Sequence, residues 1–234
     1  MQELENIRPE LDTDRYKWNG IPVPRVTNII SKTIHEDFLM YWANSLGFKR
    51  KGYKKTLDAA ADYGTKTHDA LEKFLKGEPI PDGTPVNPID GFKSWWDLVN
   101  KSNTVKILGQ EFKLTCPWFG GTYDMLLEIN GKIYLVDFKT SNHLSYKYCL
   151  QLAAYEYMLR YNKICEISGI IILQLCKEYP TYNEFVLDFT NQNHVEYFKF
   201  CEQTFLSMVY SYYHILEAEK RYKTIMGICD GYVL

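Results

Sequence analysis

The sequence lacks most of the features that would place a chain quickly. It has six cysteines, Cys116, Cys149, Cys165, Cys176, Cys201 and Cys229, and no two of them form a CxxC pair. A thiolate zinc or iron–sulfur site is therefore not expected, and the cysteines read as reduced, mostly buried thiols of an intracellular protein. No apolar run reaches the roughly 18 residues of a membrane span. The opening Met1-Gln2-Glu3-Leu4-Glu5-Asn6 is acidic and has no apolar h-region, so no signal peptide is expected. Neither sign of charge dominates: 27 Lys and Arg stand against 29 Asp and Glu, a net charge of −2. No global field would draw the chain to a polyanion, so any such contact must come from a local patch. Internal repeats, low-complexity tracts and linkers are also absent.

What is present is material for a core. The 234 residues are 46% hydrophobic and 15% aromatic, with 19 tyrosines, which excludes a disordered chain. Helical patterns fall at 36–47, 56–76 and 89–102, with Thr27 placed to cap an earlier helix from about Asn28. Period-two patterning follows at 104–115 and through a hairpin at 121–140. A helix at 146–162, an apolar strand at 167–176, an edge strand at 181–188 and a long helix at 191–222 complete the order. The expected fold class is α/β: a mixed central β-sheet flanked by helices, with an N-terminal helical part. The whole chain is expected to be one domain, with helices mainly in 1–103, the α/β core in 104–190 and a C-terminal helix in 191–234.

The hairpin is the most informative stretch. Asn130-Gly131 between apolar runs favours a two-residue type I′ turn. Counting outward, Ile129 pairs with Lys132, Leu126 with Leu135, and Asp124 falls opposite Asp137. Two carboxylates ~5 Å apart repel by about 3 kcal/mol at an effective dielectric near 20. Lys139, two residues beyond Asp137 and on the same face, does not neutralise both acids. A divalent cation such as Mg²⁺ or Mn²⁺ does, since hard cations take oxygen ligands. A loop of another length would shift the register and remove the argument.

Other residues can join this face. Gln151 and Tyr155 are four apart on the next helix and share a side of it. His68 stands in a stripe with Gly64, Leu71 and Leu75, so its imidazole points inward. It is either a hydrogen-bonded core histidine or a metal ligand reaching the acids, with Gly64 allowing close backbone approach. Glu111 lies in the preceding strand and is either a third carboxylate or a solvated one. Trp118 can stack on bases or pack in the core. Lys49-Arg50-Lys51-Gly52-Tyr53-Lys54-Lys55 is a basic run with an aromatic inside it, fitting a nucleic-acid backbone or a solvated helix end.

His68, Gly121-x-x-Asp124, Asp137-x-Lys139 and Gln151-x-x-x-Tyr155, in this order, resemble the PD-(D/E)xK nuclease superfamily. The set looks most like its RecB-like, phage-type exonuclease branch. Tyr16-x-x-x-Gly20-Ile21-Pro22-Val23-Pro24-x-Val26-Thr27 is also similar to phage members, and the resemblance spans about residues 16–160. It implies a restriction-endonuclease-like core and a metal-dependent DNA exonuclease of recombination, repair or processing. The cysteine cluster of the iron–sulfur members has no counterpart. His68, Asp124, Asp137 and the Phe138 carbonyl would hold Mg²⁺ or Mn²⁺. Lys139 would orient water or stabilise charge at phosphorus, with Glu111 a further candidate. Gln151 and Tyr155 would position the DNA strand. Arg25 and Thr27 would touch a terminal phosphate, and Lys49, Arg50, Lys54, Lys55 and Trp118 the rest of the DNA. The implied partners are DNA with a free end and a recombination protein, with no membrane. The implied location is the cytoplasm of a bacterial or phage-infected cell. A structure-specific endonuclease and a non-cleaving nuclease-like binding module are the alternatives.

Overall fold

The computed structural model describes residues 16–34 and 52–227. The expected helix at 36–47, together with Lys49, Arg50 and Cys229, lies outside these residues. The described residues open with a hairpin of two short strands, β1 (Lys17–Trp18) and β2 (Ile21–Pro22), then α1 (Val26–Thr33). Two helices follow, α2 (Tyr53–Leu75) and α3 (Val86–Ser102). Strands β3 (Val105–Thr115), β4 (Gly120–Ile129) and β5 (Lys132–Lys139) lead into α4 (Tyr146–Tyr161). Then come β6 (Gly169–Leu175), β7 (Tyr182–Asp188) and α5 (Gln192–Met226).

The α/β expectation holds: five strands form one mixed sheet in the order β3-β4-β5-β6-β7. All neighbours are antiparallel except β5 and β6, which are parallel and joined through α4. That crossover is the usual reason for a helix between parallel strands. β6 is buried at every position, as its unbroken apolar run requires, and β7 is the edge strand.

Both faces of the sheet are covered. Leu126, Leu135, Ile170 and Ile172 pack against α1, α4 and α5. Met125, Val136, Phe138 and Leu173 pack against α2 and α3, around Phe92 and Trp95. Alternation along each strand divides the two cores. The layout therefore places α4 over one face and α2 over the other, and both reach the same ends of β4 and β5.

Local chemistry shifts some boundaries. α1 begins at Val26 with Arg25 as its N-cap and no side-chain cap, so Thr27 does not cap it. Arg25 instead forms a parallel bridge with Gly120, and Gly120 N–H donates to Pro24 O at 2.9 Å, which fixes the helix entry by tertiary pairing. α2 and α3 each begin three residues earlier than their patterns suggest. α5 runs on to Gly227, whose φ of 64° closes it in the left-handed region. No helix among the described residues is long and apolar enough to cross a membrane.

Candidate metal centre

The hairpin has the expected register: Ile129 pairs with Lys132, Leu126 with Leu135 and Met125 with Val136. Asn130 and Gly131 have φ of 51° and 80°, as a type I′ turn demands. The ladder stops at Met125 and Val136, one position short of Asp124 and Asp137. There the Asp124 side chain takes over, accepting from Phe138 N–H through Oδ2 at 2.6 Å. One carboxylate oxygen is thus tied to the neighbouring strand and the other, Oδ1, is left to face the site.

β3 brings a third acid into the same row. Between Ile107 and Gly109 a bulge shifts its pairing with β4 by one residue. Gln110 then pairs with Met125 and Phe112 with Tyr123, which sets Glu111 across from Asp124. Without the bulge Gln110 would stand there. Glu111 itself has φ of 42°, an uncommon left-handed conformation for a non-glycine residue.

α2 supplies the nitrogen. His68 Nδ1 lies 3.5 Å from Asp124 Oδ1 and 3.7 Å from Glu111 Oε1. One ligand atom from each of His68, Glu111 and Asp124 falls within 4.8 Å of the others. His68 is 28% exposed and belongs to neither apolar cluster. Gly64 is not the reason for its approach: a Cβ there would make only ordinary contact, 3.7 Å from Thr140 Oγ1.

Asp137 and Lys139 stand beside this trio on β5, Asp137 outside the group whose ligand atoms lie within 4.8 Å of one another. Asp137 is 1% exposed, and its Oδ1 accepts no hydrogen bond among the described residues. Lys139 Nζ approaches Oδ2 to 2.7 Å as an ion pair. Lys139 Nζ donates to Gln151 Oε1 at 3.3 Å, and Gln151 Nε2 donates to the Tyr155 hydroxyl at 2.9 Å. The Tyr155 ring packs close against Gly121 of β4, and a Cβ there would collide with it.

The electrostatics describe an acid pocket short of positive charge. Burial opposes ionisation of His68, but Asp124 and Glu111 outweigh it and raise the imidazole to about 10. Burial likewise opposes the Asp124 carboxylate, yet His68, Lys139 and the Phe138 N–H together hold it below its ordinary range. Asp137 goes the other way. Burial raises it, Lys139 opposes and the Asp124 charge adds, leaving it at about 6. Burial also lifts the Tyr155 phenol well above 10. Three carboxylates against one imidazolium and one ammonium, with Asp137 Oδ1 lacking a donor among the described residues, fit a hard divalent cation better than they fit one another.

A cleft of about 260 Å³ opens beside the acids, lined by Tyr16, Arg25, Thr27, Glu111, Thr122, Asp124 and Tyr155 among others. Arg25 Nε is buried there without a hydrogen-bond partner among the described residues. The sequence assigns no site role to Tyr16, which opens the segment similar to phage members, or to Thr122. Their hydroxyls are 2.8 Å apart, a contact across more than 100 residues that no local pattern reveals. Lys54 and Lys55 are exposed on the first turn of α2. Trp118 lies outside this cleft lining and packs on Tyr161 at a ring distance of 5.9 Å. Of the cysteines, Cys116, Cys149 and Cys201 are buried, whereas Cys165 and Cys176 are partly exposed.

No protein-family model matches the sequence, and no curated protein does. Among solved structures, the crystal structure of SSO0001 is similar over 100% of this chain and 94% of its own, at 14% identity and a TM-score of 0.43. An alkaline exonuclease, LHK-Exo from Laribacter hongkongensis, is similar over 67% of this chain and 84% of its own, at 13% identity and a TM-score of 0.33. LHK-Exo in complex with dAMP covers 68% and 84% at 11% identity and a TM-score of 0.32. At such loose overlap the chemistry has to be argued from this chain's own residues.

Proposed function

We propose that the protein is a divalent-metal-dependent deoxyribonuclease of the PD-(D/E)xK superfamily, acting as an exonuclease on DNA with a free end. The observation that carries this reading is the row Glu111, Asp124 and Asp137 on adjacent strands, with His68 above it and Lys139 at 2.7 Å from Asp137. Asp124 Oδ1, Asp137, Glu111, His68 and the Phe138 carbonyl would hold Mg²⁺ or Mn²⁺. The bound ion would lower the pKa of a water and polarise the scissile phosphate.

The rest of the work falls to the chain. Phe138 N–H fixes the Asp124 carboxylate so that one oxygen always faces the ion. Lys139 orients the attacking water and meets the negative charge that grows on the phosphoryl oxygens as the new O–P bond forms and the old P–O bond breaks. Gln151 holds the Lys139 ammonium on one side and the Tyr155 hydroxyl on the other, and both present donors to the DNA strand. Arg25, with its unpartnered Nε, and Thr27 contact a phosphate at the cleft. Lys54 and Lys55 contact the backbone beyond it.

End-labelled linear DNA and closed circular DNA, each with Mg²⁺, Mn²⁺ or EDTA, test the reading. Linear DNA is degraded only with metal, and Asp124→Ala and Lys139→Ala abolish the loss of label. Absence of cleavage with every metal, or unchanged cleavage by both variants, overturns it. Cutting of the circle assigns an endonuclease instead, and metal binding without turnover assigns a non-cleaving module.

A further inference from the structure

We infer that Tyr148 is a positioning residue for Lys139, holding its ammonium with the face of the ring while leaving its protons free to act. The inference takes the role of Lys139 from the proposed nuclease function; how Lys139 is held is a matter of geometry alone. Lys139 Nζ lies 4.7 Å from the centroid of the Tyr148 ring. Asp137 Oδ2, at 2.7 Å, and Gln151 Oε1, at 3.3 Å, approach the same atom. Lysine has a flexible four-carbon stem, and one ion pair leaves it free to swing about its partner. Three contacts leave it one position.

The ring is itself held in place. Tyr148 OH donates to Ser141 Oγ at 2.9 Å, in the loop that follows Lys139. The Ser141 carbonyl accepts from Gln174 Nε2 at 2.7 Å, and Gln174 Oε1 accepts from Asn183 Nδ2 at 2.9 Å. A continuous series therefore runs from the edge strand β7 through β6 to the β5–α4 loop and ends on the ring. Tyr148 stands three residues before Gln151 and seven before Tyr155, on one stripe of α4. The stripe offers ring, amide and phenol in turn to the end of β5.

The chemistry favours a ring at this point. A further carboxylate would hold the ammonium but would add a fourth acid to a pocket already short of cations. An aromatic face attracts a cation through its quadrupole without competing for a divalent ion.

The test uses the full chain with Tyr148→Phe, Tyr148→Leu and a series of ring-fluorinated phenylalanines at 148. Cleavage of end-labelled DNA with Mn²⁺ and NMR relaxation of the Lys139 side chain are both measured. Tyr148→Phe keeps kcat within about threefold, whereas Tyr148→Leu lowers it about tenfold with KM and Mn²⁺ affinity unchanged. Fluorination lowers kcat stepwise as the negative ring face weakens, and the Lys139 side chain loses order in the same sequence, most of all in the Leu variant. Unchanged kcat and unchanged Lys139 order in Tyr148→Leu overturn the inference, as does a flat fluorination series. If the unaltered protein cuts no DNA, the nuclease reading fails, and the NMR order alone decides whether Tyr148 positions Lys139.

Discussion

Asp137→Asn is expected to stabilise the metal-free protein while abolishing cleavage. Asp137 is 1% exposed; its Oδ2 meets the Lys139 ammonium at 2.7 Å, and its Oδ1 finds no hydrogen-bond donor among the described residues. Burial, set against Lys139 and aided by the Asp124 charge, moves its carboxyl from 3.8 to about 6. The folded protein thus holds this proton more tightly than the unfolded chain does. As pH rises from about 4 to about 6, ionisation removes stability, and above 6 the loss is complete. A shift of about two units corresponds to about 3 kcal/mol. Asparagine has nearly the same shape and no charge, so it recovers most of that loss. We expect it to raise stability at pH 8 by about 2 kcal/mol in urea unfolding with EDTA. At pH 5 the unaltered carboxyl is mostly protonated and the gap narrows. Added Mn²⁺ stabilises the unaltered protein through binding linkage and helps the variant less. A variant less stable than the parent at pH 8 in EDTA, or a gap that does not change with pH, would refute the reasoning.

Metal uptake is expected to release a proton. With His68 raised to about 10, its ring is protonated at pH 8, and a cation bound through that ring must displace the proton. Calorimetric titration in two buffers of different ionisation enthalpy reads about one proton per ion, and none would place the ion away from His68. Gly121→Ala drives a methyl group into the Tyr155 ring. It is expected to cost about 1–3 kcal/mol in unfolding and to lower kcat, because Tyr155 and Gln151 tilt together; unchanged melting and turnover would show that the ring has room to move.

The parts of this site that could be read from sequence are those set by short-range chemistry. Asn130-Gly131 determines its own turn, and the turn determines which residues of β4 and β5 stand opposite, so Asp124 and Asp137 follow by counting. Gln151 and Tyr155 share a helical face by spacing alone. Glu111 was open because its place depends on a bulge three residues earlier and on a left-handed backbone, neither of which its neighbours announce. The start of α1 differs from the sequence expectation for a similar reason: Thr27 is a good cap by propensity, but the bridge from Arg25 to Gly120 decides where the helix begins. The helical spacing of Tyr148 from Gln151 does not by itself mark it; the position of Lys139 over its ring gives that spacing a meaning.

A crystal soaked in Mn²⁺, with its anomalous scattering recorded, tests the metal centre most directly. One strong peak is expected among His68 Nδ1, Glu111, Asp124 Oδ1 and Asp137, with Lys139 still paired to Gln151. No peak there at saturating Mn²⁺, or a peak that Asp124 and Asp137 do not share, would contradict it.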